Sequence, residues 1–166
     1  LHGGTVLAES AGPGRGSTFT IRLPLASSGP APTEGAGSVR DERPAGRRIL
    51  VVDDNVDGAA SLALMLELSG YLTRTAHDGM EALDGARAFD PALVLLDIGL
   101  PGENGYEVAE RFRADPVLRS IPLVALTGWG SEEDKRRAKE AGFRAHLSKP
   151  VSAELLERVI GEILDG

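Results

Sequence analysis

Five positions in the 166-residue chain carry side chains that could do chemistry together. They are the adjacent acids Asp53 and Asp54, a third acid at Asp97, a hydroxyl at Thr127 and an amine at Lys149. Asp97 closes an apolar run in "ALVLLDIGLP", directly behind five consecutive apolar residues. Acids are almost never fully buried unless something pairs with them. Asp97 therefore either marks where a strand reaches water or stands on the floor of a site. Taken singly, each residue has a plain explanation. Asp53 and Asp54 suit a helix cap, Thr127 suits a strand, and Lys149 suits a solvated surface. Taken together they point to phosphoryl chemistry. Carboxylates sharing a site resist ionising together, and a hard divalent cation relieves that repulsion; Mg²⁺ takes oxygen ligands through one or a few carboxylates. Lys149 would supply a point charge, and Thr127 a donor, for oxygens carrying developing charge. Asp97 would be the nucleophile, since carboxylates form aspartyl phosphates.

Such a grouping requires elements that bring distant positions to one place. Residues 47–166 read as five strand–helix repeats, with strands at 48–53, 71–76, 92–97, 121–127 and 144–148. Continuous apolar runs such as Ile49–Val52 and Leu93–Leu96 suit parallel strands covered on both faces. Leu62, Met65, Leu66 and Ser69 share one face of the first helical stretch. Leu155, Leu156, Val159, Ile160 and Ile163 form a stripe on the last. Ser131 with Asp134 suits a helix start and Gly142 its end. Alternation at this spacing predicts an α/β fold with a doubly wound, five-stranded parallel sheet and right-handed crossovers. Sites in such folds lie at the carboxyl ends of the strands, where Asp53, Asp54, Asp97, Thr127 and Lys149 all fall.

Composition sets the limits. Apolar residues make up 42% of the chain, enough for a packed core. The chain has no cysteine, which excludes disulfides, thiolate metal sites and a cysteine nucleophile and suits a cytoplasmic setting. No membrane-spanning run and no signal peptide are apparent. The net charge of −7 lies wholly in residues 47–166, which carry 14 basic and 21 acidic groups; with no basic stripe, a nucleic-acid partner is not expected. Residues 26–46 are rich in Ala, Gly, Ser and Pro and read as a flexible linker. Before them, "GGTVLAES" and "STFTIRLPL" flank "AGPGRG" and predict an antiparallel hairpin over residues 1–25. "AGPGRG" lacks the Lys-Ser/Thr of a phosphate-binding loop and is read as the turn. The absent initiator Met suggests a piece of a longer chain.

"ILVVDDN", "LVLLDIGLP", "LVALTG" and "HLSKP", in that order, resemble the receiver domain of bacterial two-component response regulators, over essentially all of residues 47–166. The resemblance implies a flavodoxin-like (βα)5 fold in which Asp97 takes a phosphoryl group from phosphohistidine. It implies Mg²⁺ held by Asp54 and Asp97, by Asp53 directly or through water, and by the backbone carbonyl of Gly99. It further implies that Lys149 pairs with the acceptor carboxylate and precedes a cis peptide to Pro150, and that Thr127 moves toward the phosphoryl oxygens as a switch. The residue that follows Thr127 inward is often Tyr or Phe in the family; here it is His146, which we read as a plain histidine rather than a pH sensor. Trp129, the only tryptophan, would be a reporter on the loop after Thr127. "HGGTVLAES…GPGRGSTFTIRLPL" resembles the last hairpin of a histidine-kinase ATP-binding domain. The two pieces together suggest the end of a hybrid histidine kinase, whose metal-binding asparagine and glycine boxes would lie upstream. The fragment is thus expected to catalyse its own Asp phosphorylation but neither to bind ATP nor to autophosphorylate. Its partner would be the parent kinase or a histidine phosphotransfer protein, with a homodimer possible and no output domain after Gly166. Three other readings of the same residues differ in what they require. A haloacid-dehalogenase phosphatase would need an acid where Gly99 stands. A flavin module would find its phosphate repelled by Asp53 and Asp54. A receiver that never takes phosphate and acts only by docking stays open.

Overall fold

The computed structural model describes residues 5–10, 12, 14–22, 46–128 and 132–166. The chain divides into two units, Leu1–Asp41 and Glu42–Gly166. The first holds β1 (Thr5–Ser10) and β2 (Ser17–Arg22), paired antiparallel in the register Val6 with Ile21 and Ala8 with Phe19. Alternation puts Val6, Ala8 and Phe19 on one face of the hairpin. Val6 and Phe19 are exposed there. Of the expected linker only Gly46 lies among the described residues, and Trp129 and the Ser131 cap lie outside them.

The second unit contains β3 (Arg48–Val52), α1 (Val56–Leu68), β4 (Leu72–Ala76), α2 (Gly79–Phe89), β5 (Leu93–Asp97), α3 (Gly105–Ala114), β6 (Leu123–Thr127), α4 (Glu132–Glu140), β7 (Ala145–Ser148) and α5 (Ala153–Leu164). Its five strands are parallel in the order β4-β3-β5-β6-β7. This is the doubly wound sheet expected from the sequence. β3 starts where predicted and ends one residue sooner, while the other four strands start one or two residues later than predicted, in two cases for evident local reasons. Tyr71 gives its N–H to the Leu66 carbonyl at the end of α1, and Pro122 has no N–H to give to a ladder.

Period-two alternation sorts the strand side chains onto two faces. Leu50, Val52, Val94, Leu96, Leu123 and Ala125 pack with α2 and α3. Ile49, Val51, Leu93, Leu95, Val124 and Leu126 pack with α1 and α5, where Leu156 and Ile160 are buried and Leu155, Val159 and Ile163 flank them. Burying apolar surface on both faces contributes roughly 25 cal/mol per Å², which is why the central strands read as unbroken apolar runs. Among the described residues no helix is long and apolar enough to cross a membrane.

Caps set where each helix starts. Asn55, rather than Asp53 or Asp54, caps α1 by accepting the Gly58 N–H. Asn104 and Glu107 form a reciprocal capping box on α3. Gly142, at φ +83°, ends α4 in the left-handed conformation that favours glycine.

The first residue of α3 is constrained for another reason. The Gly105 N–H donates to the Ile98 carbonyl, and a Cβ there would stand 2.4 Å from the Asp97 carbonyl oxygen and 2.7 Å from Ile98 Cα. Ala is favoured over Gly in a helix by about 1 kcal/mol, but forcing backbone apart costs about 1–3 kcal/mol. The clash wins because both contacted atoms are main chain. Gly105→Ala is therefore expected to lower the urea midpoint; an unchanged or raised midpoint would show that the β5–α3 loop yields freely.

Candidate functional site

Each candidate residue stands at or just past the carboxyl end of a strand. Asp53 follows β3, Asp97 ends β5, Thr127 ends β6 and Lys149 follows β7. Strand pairing sets their depth. Asp97 is level with Leu126, and Thr127 with Ser148. The Lys149 N–H donates to the Thr127 carbonyl at 2.7 Å, carrying the β7 end past the sheet edge, and the Lys149–Pro150 peptide is cis.

Asp53 and Asp97 are buried, with 5% and 7% of their surface exposed, whereas Asp54 is exposed. Two buried acids need partners, and both share one. Lys149 Nζ donates to Asp53 Oδ2 at 2.6 Å and to Asp97 Oδ2 at 2.8 Å. The remaining oxygens are held by main chain. Asp53 Oδ1 accepts the Asn55 N–H at 2.9 Å, and Asp97 Oδ1 accepts the Gly99 N–H at 3.0 Å. Burial works against the Lys149 charge. Its hydrogen bonds to Asp53 and Asp97 and their attraction outweigh burial and hold the ammonium above the ordinary lysine value.

One carboxylate oxygen from each of Asp53, Asp54 and Asp97 lies within 4.8 Å of the others. An all-oxygen set of three acids with one cation beside it suits a hard divalent ion and not a soft one. The residues present therefore fit Mg²⁺. Gly99, also named from the sequence, is exposed beside Asp97, where a Cβ would meet the carboxylate only at ordinary contact distance.

Thr127 is buried, and its hydroxyl lies 2.8 Å from His146 Nε2. His146 is half-buried on β7, level with Ala125. The sequence reading placed His146 in the switch but did not anticipate this bond, because cross-strand diagonals need a register that spacing alone leaves open. His77 was missed altogether. It follows β4 beside Asp53, and its Nδ1 lies 2.9 Å from the Asp53 carbonyl oxygen. The strand order was the signal needed to find it.

The family model described as response regulator receiver domain matches residues 49–160. The chain is 38% identical to the polar-differentiation response regulator DivK of Brucella ovis over 106 residues, 64% of this chain and 86% of that protein. A putative response regulator from Chloroflexus aurantiacus superposes with a TM-score of 0.69 at 33% identity, covering 73% of this chain and 99% of that one. The receiver domain of a sensor histidine kinase from Pseudomonas aeruginosa, solved with magnesium in its active-site cleft, gives a TM-score of 0.67 at 30% identity, covering 74% of this chain and 100% of that one.

The raised Lys149 value makes a claim about pH. A raised folded value means that the stabilisation is fully present below the ordinary lysine value and is lost as pH rises through the folded one. Removing one partner of a fully buried pair costs about 3–5 kcal/mol. Lys149 keeps 31% of its side chain exposed, so screening reduces the expected loss to about 1–2 kcal/mol. Urea denaturation of Lys149→Met at pH 8 without divalent ions is expected to show that loss. The gap to the parent should close as pH rises through the raised Lys149 value; a gap that is absent at pH 8, or that persists unchanged in strong alkali, would contradict the pairing.

Proposed function

This chain belongs to the response regulator receiver domain family, and from that premise we propose that Asp97 accepts a phosphoryl group from a phosphohistidine. The observation carrying this reading is Lys149 Nζ shared between the buried Asp53 and Asp97 at the strand ends. A carboxylate oxygen of Asp97 attacks phosphorus, the P–N bond breaks, and its electron pair returns to the donor imidazole. Asp97 is oriented for attack because one oxygen is fixed by Gly99 and the other by Lys149. Lys149 can follow the charge onto the phosphoryl oxygens, since its amine is a mobile point charge on a flexible stem. Asp53, Asp54, Asp97 and the Gly99 carbonyl would hold Mg²⁺, which when bound offsets the negative charge of the phosphoryl oxygens. Thr127 would then exchange its His146 contact for a phosphoryl oxygen, and the region around β6, β7 and α4 would report the change.

The donor has to bring an imidazole to this edge. A mostly apolar depression of about 260 Å³ adjoins Asp53 and Lys149, lined by Gly58, Ser61, Leu62 and Met65 on α1 and by Pro150 and Val151 before α5. It supports a protein donor, either the parent histidine kinase or a histidine phosphotransfer protein in the cytoplasm. The hybrid-kinase setting is the remaining part of the proposal. The exposed Val6 and Phe19 support a β1–β2 hairpin that belongs to a larger body. A receiver carried by a sensor histidine kinase is among the similar structures. On this reading residues 1–25 are the end of an ATP-binding domain and residues 26–46 a linker.

Intact-protein mass after incubation with acetyl phosphate and Mg²⁺ tests the acceptor. One added phosphoryl group is expected in the parent, and none in Asp97→Asn or without Mg²⁺. Losing one preorganised charge-stabilising donor costs about 10²–10³ in rate, so Lys149→Met should label that much more slowly. Equal labelling of parent and Asp97→Asn would move the acceptor elsewhere. No labelling, together with no Trp129 fluorescence response to beryllofluoride, would favour the docking-only receiver.

A further inference from the structure

We propose that His77 is a positioning residue for the acidic pair, acting through the peptide that joins Asp53 to Asp54; this rests on the metal-dependent reading above. The register pairs Val52 with Ala76, so the next residues out, Asp53 and His77, leave the sheet side by side. The Asp53 N–H donates to the Ala76 carbonyl at 3.0 Å. His77 Nδ1 stands 2.9 Å from the Asp53 carbonyl oxygen. A carbonyl oxygen only accepts, so Nδ1 carries the hydrogen and donates.

The histidine is itself held from the helix behind it. Its N–H donates to Glu81 Oε2 at 2.9 Å. The Glu81 N–H in turn donates to Oδ1 of Asp78, the N-cap of α2, at 2.8 Å. The start of α2 thus strings three hydrogen bonds through His77 to the Asp53 carbonyl.

That carbonyl lies in the rigid plane whose other end is the Asp54 amide. Turning the plane would swing the direction in which the Asp54 side chain leaves the backbone. Asp54 is exposed, and among the described residues none is seen bonding its carboxylate. Its place beside the Asp53 and Asp97 oxygens is therefore set by its main chain, which the Asp53 carboxylate grips on one side at the Asn55 N–H and His77 grips on the other at the Asp53 carbonyl. The bond does for Asp54 what Lys149, Asn55 and Gly99 do for the other two acids.

The test uses the full chain and three variants, His77→Ala, His77→Gln and His77→Asn. Asn places its amide nitrogen on the same branch from Cβ as Nδ1, while Gln carries it one bond further. Mg²⁺ is titrated, with the amide resonances of Asp54 and Gly99 followed by NMR and thermal midpoints measured alongside. Loss of one orienting hydrogen bond predicts affinity about three- to tenfold weaker in the Ala and Gln variants. Asn should stay within about twofold of the parent, with the midpoints of Asn and Gln alike. The nitrogen shifts of the His77 ring should report the Nδ1–H form. Parent-like affinity in His77→Ala, an Asn variant as weak as Ala, or an Nε2–H ring would overturn the proposal while leaving the metal site standing. A parent that shows no saturable Mg²⁺ response would instead overturn the metal-dependent reading, and this inference with it.

Discussion

Two buried carboxylates cannot share the end of a parallel sheet without a cation, and here the cation is Lys149. One carboxylate oxygen from each of the three acids lies within 4.8 Å of the others. At an effective dielectric of about 20, two unit charges at that spacing repel by roughly 3 kcal/mol. The ammonium sits at 2.6 Å and 2.8 Å from the two buried acids, so two shorter attractions stand against one longer repulsion. That pairing leaves the exposed Asp54 outside it. Such a group carries surplus negative charge with its oxygens close together, which under the proposed reading suits a reluctantly dehydrated cation.

The rest of the fold serves to deliver these groups to one edge. Parallel strands all end on the same side, so a residue that closes one strand meets the residues that close its neighbours. The order β4-β3-β5-β6-β7 puts Asp53, Asp97 and Thr127 on three adjacent strands. Lys149 is brought back over them by the turn after β7. The close approach of Gly105 to the Asp97 carbonyl ties the loop that carries Gly99 to the base of α3. Core packing fixes the strands and the strand ends fix the chemistry, so stability and site geometry are not separable here.

The strands and the acids could be read from sequence because burial on both faces forces continuous apolar runs, and an acid that ends such a run is conspicuous. Asp97 after Leu93–Leu96 and Asp53 after Ile49–Val52 are of this kind. Thr127 and Lys149 were legible only as members of the set, since a threonine on a strand and a lysine before a proline are each ordinary. What stayed hidden depends on register. His77 touches Asp53 because Ala76 is paired with Val52, and no spacing within either segment encodes that pairing. The capping of α1 by Asn55 shows a smaller failure of the same kind. Three consecutive residues, Asp53, Asp54 and Asn55, all suit a cap, and only the path of the chain decides which one faces the helix.

The hydrogen bonds at the strand ends also set a scale for any change of state. Thr127 has one hydroxyl hydrogen, and the hydroxyl is already engaged with His146 Nε2. Lys149 is already engaged with two carboxylates. A phosphoryl group arriving at Asp97 under the proposed reading would meet both Thr127 and Lys149 already engaged, so each contact it gains from these two replaces one that exists. An exchange of hydrogen bonds is worth on the order of 1 kcal/mol, far less than the bond in isolation. Moving a two-state equilibrium from 1:99 to 99:1 takes about 5.5 kcal/mol of differential binding. One exchanged threonine bond cannot supply that alone. Under the proposed reading the larger share comes from the charge that Lys149 and the acidic residues rearrange around, so the energy of a switch would lie at the same group that holds the unmodified site together.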